Sequence, residues 1–506
     1  MSEDTGYYLG IDIGTTSVKA VAFSDGGEVL AKQAVGYEMH HPQEGWSEQD
    51  PVEVRRAVEA GINAVVKAMA PARPRLLSFS AAMHSLLAVD EKGTPLTSCI
   101  IWADNRAAAI ADSLRDTDIG RHCYQVTGVP VHAMSPFCKL LWLKAHEPGI
   151  FNAAHKFVGI KEYLFYHWFG RWVVDTSVAS ATGLLNIRSL QWEKALLDFV
   201  AITADRLPEP VPVKQAFYYT AAHGREISLG QATAPAKDTA LPLHDQTPFI
   251  IGSSDGALAN LATCSCDDRA LVVTVGTSAA ARILARRVET DPFMRTFCYH
   301  AKDDCYIIGG AGNNGGVVLQ WLKDTLLQTG DSFQQLFEKA ARAPAGSDGL
   351  LFLPYLLGER APLWNADAKG VFFGLTIRHS QSHLVRAAME GIIYALYSIG
   401  RVIMENNDPD VVYANGGFAQ SPLWLQVLAD VFNKKVLVYD PVESAALGAA
   451  LVGMEALQVK PAIDKQSLKE YMPDPDTHII YARLFTKFER LYDLLKKEFT
   501  NTHSLA

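Results

Sequence analysis

Two short glycine–threonine segments carry residue types suited to binding anions. The first reads Gly10-Ile11-Asp12-Ile13-Gly14-Thr15-Thr16-Ser17-Val18-Lys19, and the second reads Thr274-Val275-Gly276-Thr277-Ser278. Each lies between β-rich runs, so each predicts a hairpin with Gly-Thr at its tip. Glycine lets a ligand approach the backbone, and the tip amides and hydroxyls can donate to phosphate oxygens. One such tip is an ordinary hairpin. Two, one in each half of the chain, can hold a nucleoside triphosphate from opposite sides. Only the first copy carries a carboxylate, Asp12; the second has Thr274 there. Asp12 can therefore meet a phosphate-bound Mg²⁺, which commonly uses one or two carboxylates. A turn-stabilising role is the plain alternative.

Asp255 follows the strand-like run Phe249–Ser254 and precedes a helix from about Gly256. Alone it reads as a helix cap. Beside two phosphate turns it reads as a general base for a substrate hydroxyl, kept ionised by the helix N-terminus. Met83 and His84 stand at the carboxyl end of the strand Leu76–Ser80, where ligands of open α/β sheets collect. Trp102, Asp104 and Arg106 combine an aromatic face with two charged groups, a mixture that suits a polyol. Taken singly, these are a core histidine, a packed tryptophan and a local ion pair. The run Gly309–Gly316, the Asn415-Gly416-Gly417-Phe418-Ala419-Gln420 turn and the small-residue run Ala445–Ala450 offer a nucleotide-sized surface. Small side chains serve close helix packing equally well.

The elements that must position these residues follow from periodicity. Residues 7–37 predict a β-meander, and Asp50–Ala70 predicts a helix capped by Asp50 with Val54, Val58, Ile62, Val65 and Val66 on one face. The 208–247 stretch is loop-rich, and the lobe boundary is placed near 256–268. The second half repeats the opening plan of strand, Gly-Thr-Ser tip and strand. Alternating strands and helices predict an α/β fold built from two similar lobes.

Bulk properties narrow the class. The chain has 506 residues, 49% apolar and 20% charged, so it supports several domains with buried cores. A formal charge of -9 argues against nonspecific binding to nucleic acid or acidic membranes. Seven cysteines without a Cys-x-x-Cys pair fit a reducing cytoplasm. The acidic opening Met1–Thr5 predicts no secretory leader, and no uninterrupted apolar run of membrane-spanning length is present. A homodimer is compatible with these features.

Taken in order, the segments resemble the FGGY family of carbohydrate kinases, within the actin–hexokinase-like ATPase superfamily. The resemblance spans residues 7 to 455. It rests on the two Gly-Thr tips, Met83-His84, Trp102-Ala103-Asp104-Asn105-Arg106, the Met134–Leu143 segment, Asp175–Ser180, Ser254-Asp255-Gly256, and Asn415-Gly416-Gly417 with Trp424, Gln426, Ala429 and Asp430. It implies two ribonuclease-H-like lobes around a central cleft, with ATP and Mg²⁺ between them and γ-phosphate transfer to a terminal sugar hydroxyl. The expected division is an N-terminal lobe at 1–257, a C-terminal nucleotide lobe at 258–460 and a helical extension at 461–506.

The resemblance assigns catalysis to Asp255, metal binding to Asp12 with Asp255, and sugar contacts to Met83, His84, Trp102, Asp104, Arg106, Met134 and Asp255. It assigns the nucleotide to Gly14, Thr15, Thr16, Lys19, Gly276, Thr277, Ser278, Gly312, Asn313, Gly416, Gly417 and Gln420. Ala81-Ala82 departs from the Gly-Gln common in the family, and Ala145 replaces a usual polar residue. The sugar segments are more similar to gluconate kinases than to xylulose kinases, so the implied partners are ATP, ADP and a sugar or sugar acid. Arg106, Lys139, Lys161 and His84 are the cations offered to a gluconate carboxylate. Xylulose and other polyols are the alternative substrates, and an actin-like filament-forming ATPase or a noncatalytic sugar sensor are alternatives of another kind.

Overall fold

The computed structural model describes residues 6–219, 241, 243–244, 246–264, 266–439, 443–462 and 469–501. The opening Met1–Thr5 and residues 220–240 of the expected loop-rich stretch lie outside the described residues. Strands Tyr7–Ile13, Ser17–Phe23 and Val29–Gly36 form the expected antiparallel meander. Strand Pro74–Ala81 pairs parallel with Tyr7–Ile13, and Pro248–Ser254 pairs parallel with Pro74–Ala81. Nearly every residue of these central strands is buried, as expected where helices cover both faces of a sheet.

The second sheet repeats the arrangement. Strands Ala270–Val275, Ala279–Ala285 and Cys305–Gly312 are antiparallel neighbours, while Val411–Asn415 and Lys435–Val438 extend the sheet in parallel. Each lobe thus joins antiparallel strands to two parallel ones, a meander in the first lobe and, in the second, a set in which Cys305–Gly312 lies between Ala279–Ala285 and the edge strand Phe297–Lys302; in each the first hairpin ends in a Gly-Thr tip. Gly14 N–H donates to the Ser17 carbonyl at 3.1 Å, and Gly276 N–H to the Ser278 carbonyl at 2.9 Å.

Helix Pro51–Met69 begins where the sequence places it. The Asp50 carboxylate accepts from Val52 N–H at 2.8 Å, and Val54, Val58, Ile62 and Val65 are buried. Helix Gln381–Met404 is long and apolar enough to cross a membrane by length and composition, yet it runs through the second lobe's core. Residues after 460 are no appendage. Strand Lys469–Tyr471 edges the second sheet, and helix Pro475–Asn501 buries Tyr481, Phe485, Phe488 and Leu491 in that same core.

Two helices join the lobes. Asp255–Thr263 and Ser444–Ala456 pack against each other and against the first sheet. The contact is backbone to backbone. A Cβ on Gly10 would lie 2.0 Å from the Ala446 carbonyl oxygen, and one on Gly448 would lie 2.1 Å from that of Leu258. The small residues at 445–450 therefore serve close helix packing. Close by, Cys266 and Cys305 form a disulfide with a Cα–Cα distance of 6.0 Å. That bond runs against the reducing compartment expected from the cysteine pattern.

Gly448→Ala should cost about 1–3 kcal/mol, because the clash is with backbone that cannot rotate away; a lower urea midpoint is the readout. Acid sensitivity has an identifiable contributor in His167, buried against the Tyr163 ring at 4.4 Å with Nε2 unpartnered among the described residues. Burial pushes its pKa down to about 3 from 6.5. Between those values the unfolded chain holds the extra proton, so stability is lost as pH falls below 6.5, at about 1.4 kcal/mol per pH unit. His167→Gln should show a shallower fall in melting temperature from pH 6 to pH 4.

Candidate active site

Thr15 from the first tip, Ser278 from the second and Asp255 line one crevice of about 200 Å³ between the lobes. The first tip is held by Trp102, whose indole N–H donates to Thr15 Oγ1 at 3.0 Å. Asp12 lies opposite Lys19 in the hairpin ladder, and Ser80 Oγ donates to its carboxylate at 2.8 Å. Burial, then the charge of Asp255, raise the Asp12 pKa to about 6. The two carboxylates thus oppose each other's ionisation.

Asp255 is the first residue of its helix and follows the cap position, which Ser254 occupies. Its Oδ1 accepts from Gly256 N–H at 2.7 Å. The helix terminus was expected to keep it readily ionised. Burial outweighs that effect, and its pKa is raised despite the Gly256 amide and the nearby Arg282 and Lys161 charges. A carboxylate raised in this way is the better proton acceptor. The Asp175–Ser180 segment lies beneath it: Asp175 pairs with Lys161 at 2.6 Å, and Ser177 Oγ donates to Ser254 Oγ at 2.9 Å.

Met83 and His84 line the crevice with Trp102 and Met134. His84 adopts left-handed backbone geometry at φ 69°, uncommon for a residue with a Cβ. Its Nδ1 lies 2.8 Å from the Ala181 carbonyl, an acceptor only, so Nδ1 carries the proton. Burial and the Lys139 charge lower its pKa to about 3. The ring is neutral, and Nε2 is left as an acceptor for a ligand hydroxyl. Lys139 Nζ donates to the carbonyls of His84, Ile100 and Ile101 at 2.6, 3.1 and 2.8 Å. One buried ammonium thereby ties the His84 loop to the Trp102 loop.

Asp104 and Arg106 stand differently from expectation: neither lines the crevice. Asp104 is fully buried and accepts from Ser47 N–H and from Arg106. Arg106 also pairs with Glu48 at 2.5 Å and lies over Trp46 at 3.7 Å. The pair closes the loop that carries Trp102. The cations that do line the crevice, Arg282 and Arg360, come from the second lobe with Tyr299 and Trp364. Arg360 sits over Trp102 at 5.2 Å. No motif marked these residues, because strand alternation and an interlobe contact bring them in.

A neighbouring cavity of about 500 Å³ lies against the second tip. Gly276, Thr277, Gly417 and Gln420 line it, joined by Gly316, Phe333, Phe337 and Trp424. Gly416 supports the turn at φ 96°, against the Val275 backbone. Gly312 and Asn313 do not line this cavity; the Gly312 carbonyl accepts from Arg360, and Asn313 N–H donates to Glu359. Within the glycine run Gly316 takes that place, its N–H donating to the Gly276 carbonyl at 2.7 Å. Lys19 is engaged by Glu443 at 2.7 Å, a tie between the halves of the chain.

Residues 7–262 match the N-terminal domain, and 271–457 the C-terminal domain, of the FGGY family of carbohydrate kinases. The chain is 40% identical to a gluconokinase of Bacillus subtilis (strain 168), over 98% of this chain and 97% of that protein. The crystal structure of gluconate kinase from Lactobacillus acidophilus matches with a TM-score of 0.91 at 32% identity, covering 98% of this chain and 99% of the other. A ligand-bound structure named as xylulose kinase from Lactobacillus acidophilus gives the same TM-score and identity, covering 98% and 100%.

Lys139→Met should raise the KM for the sugar substrate several-fold while the KM for nucleotide stays constant, since the lysine orders two sugar-side loops and touches neither cavity. Arg106→Leu should act on folding instead. It strands the Asp104 carboxylate, at a cost of about 3–5 kcal/mol, measurable as a drop in melting temperature before any assay of binding.

Proposed function

The chain belongs to the FGGY family of carbohydrate kinases, and on that premise we propose that it transfers the γ-phosphate of ATP to the terminal hydroxyl of D-gluconate, giving 6-phospho-D-gluconate and ADP. The observation that carries the reaction type is the placement of Asp255 in the crevice that both Gly-Thr tips border. The substrate assignment draws on the full-length similarity to the Bacillus subtilis gluconokinase.

In this reading the adenine lies in the cavity walled by Phe333 and Phe337, and the phosphates reach between Thr15 and Thr277. The sugar occupies the crevice, its C–H face against Trp102 and one hydroxyl donating to His84 Nε2. Asp255 accepts the proton of the terminal hydroxyl as that oxygen bonds to the γ-phosphorus and the bond to the β-phosphate oxygen breaks. Asp12 and Asp255 fit a divalent cation, because two carboxylates that resist joint ionisation are stabilised by one. Mg²⁺ held there, when bound with ATP, neutralises phosphate charge. Closure of the lobes over the bound sugar would exclude water, which limits hydrolysis of ATP.

The second reading, a xylulose kinase, is favoured by the equal structural match to the protein of that name. A coupled ADP-release assay over D-gluconate, D-xylulose, ribulose and glycerol separates the two, with D-gluconate expected to give the highest kcat/KM. Turnover of D-xylulose with none of D-gluconate reverses the assignment. Asp255→Asn should lower kcat by about 10²–10⁴-fold and leave the ATP KM within about threefold of the wild type.

A further inference from the structure

Every cation that the sequence offered to a sugar-acid carboxylate is already in use. Arg106 is held by Asp104 and Glu48, Lys139 by three carbonyls, and Lys161 by Asp175 and the Ser253 carbonyl. His84 is neutral. The second lobe supplies what the first lacks. Arg282 lines the crevice and makes no hydrogen bond or ion pair with any described residue, and its Nε is buried without a partner. Arg360 uses one guanidinium nitrogen on the Gly312 carbonyl and leaves its own Nε unpartnered. The Tyr299 hydroxyl and Trp364 Nε1 are likewise unpartnered among the described residues. Four such groups gathered around one crevice are unusual, since buried polar groups are nearly always satisfied. All four can donate, and among the described residues Asp255 is the only carboxylate that lines the crevice with them. Donors outnumber acceptors on this wall and two of them are cationic, which favours an anionic ligand.

Strand geometry sets where that acceptor lies. Ala280 and Arg282 are two residues apart in strand Ala279–Ala285, so they share a face, with Arg282 about 7 Å farther from the Gly276 tip. Across the ladder, Arg282 pairs with Gly309 and Ala280 with Ala311, so small residues leave room beneath a bound chain. A linear six-carbon acid whose terminal hydroxyl lies at Asp255, near the phosphate tips, can run along this face. Because the Arg282 guanidinium reaches back to within 3.7 Å of where a Gly256 Cβ would be, the chain must bend for its other end to meet Arg282. We propose that Arg282, assisted by Arg360, binds the C1 carboxylate of the substrate and is the residue by which the enzyme selects a sugar acid over a neutral sugar. The inference rests on the gluconate reading above and adds the group that enforces it. A guanidinium meets a carboxylate through two parallel N–H donors, which gives both charge and geometric selection.

Arg282 also lies close to the start of the catalytic helix, with Cζ 3.7 Å from where a Gly256 Cβ would be. A role confined to positioning Asp255 would affect every substrate alike. The test therefore compares D-gluconate with D-gluconamide, its uncharged counterpart at C1, in wild type, Arg282→Leu and Arg282→Lys. Wild type should favour gluconate by about 100-fold or more in kcat/KM. Arg282→Leu should bring the two substrates within a few-fold of each other, chiefly through loss of gluconate turnover, and Arg282→Lys should keep most of the preference. ATP protection of each variant against thermal unfolding confirms that it is folded. An undiminished preference in Arg282→Leu overturns the arginine assignment while leaving the gluconate reading intact. Wild type that fails to phosphorylate gluconate removes both.

Discussion

The structure depends on a contact made without side chains. Where helix Ser444–Ala456 crosses strand Tyr7–Ile13 and helix Asp255–Thr263, the glycines at 10 and 448 let carbonyl oxygens approach to distances no Cβ would permit. That crossing joins the lobes, and it fixes the strand that carries Asp12 against the helix that begins with Asp255. An added methyl at either glycine would push the helices outward and move the two carboxylates relative to each other. The constraint is steric and short-ranged, so it fixes Asp255 relative to the strand that carries Asp12.

The second organising principle is electrostatic. The first lobe buries Lys139, Lys161, Asp104, Arg106 and Asp175, and each is matched by carbonyls or by an opposite charge. Such groups are costly to bury unless fully satisfied, and once satisfied they hold loops in a single arrangement. Lys139 shows the effect most clearly, gathering carbonyls from the loops that present His84 and Trp102. The crevice follows the opposite rule. Asp12 and Asp255 repel each other, Arg282 and Arg360 are under-used, and the Tyr299 hydroxyl has no partner. Satisfied charges make the scaffold, and unsatisfied ones mark where ligands complete the structure.

The same division explains which residues could be read in advance. The Gly-Thr tips, the Asp50 cap and the meander depend on neighbours along the chain, so local pattern revealed them. Asp104 and Arg106 were misplaced because a charged pair beside a tryptophan has the same composition whether it faces a ligand or closes a loop. Within the glycine run at 309–316, Gly315 and Gly316 meet the second tip, while Gly312 and Asn313 contact Arg360 and Glu359. Arg282, Tyr299 and Arg360 left no local trace. The final helix looked like an appendage because its amphipathic face names no partner, although Tyr481 reaches Glu390 at 2.9 Å in the opposite wall of the core.

By itself the sequence determined the two-lobed α/β plan and the paired Gly-Thr tips, because turn chemistry and periodicity act over a few residues and survive without a fold. Only the tertiary structure decided which charges are spent and which remain available. That outcome depends on burial and on contacts between residues separated by a hundred or more positions, where the dielectric and the partner are properties of the assembled cleft. The cations offered by the motifs turned out to be internal struts. The ones left lining the crevice came from the other half of the chain.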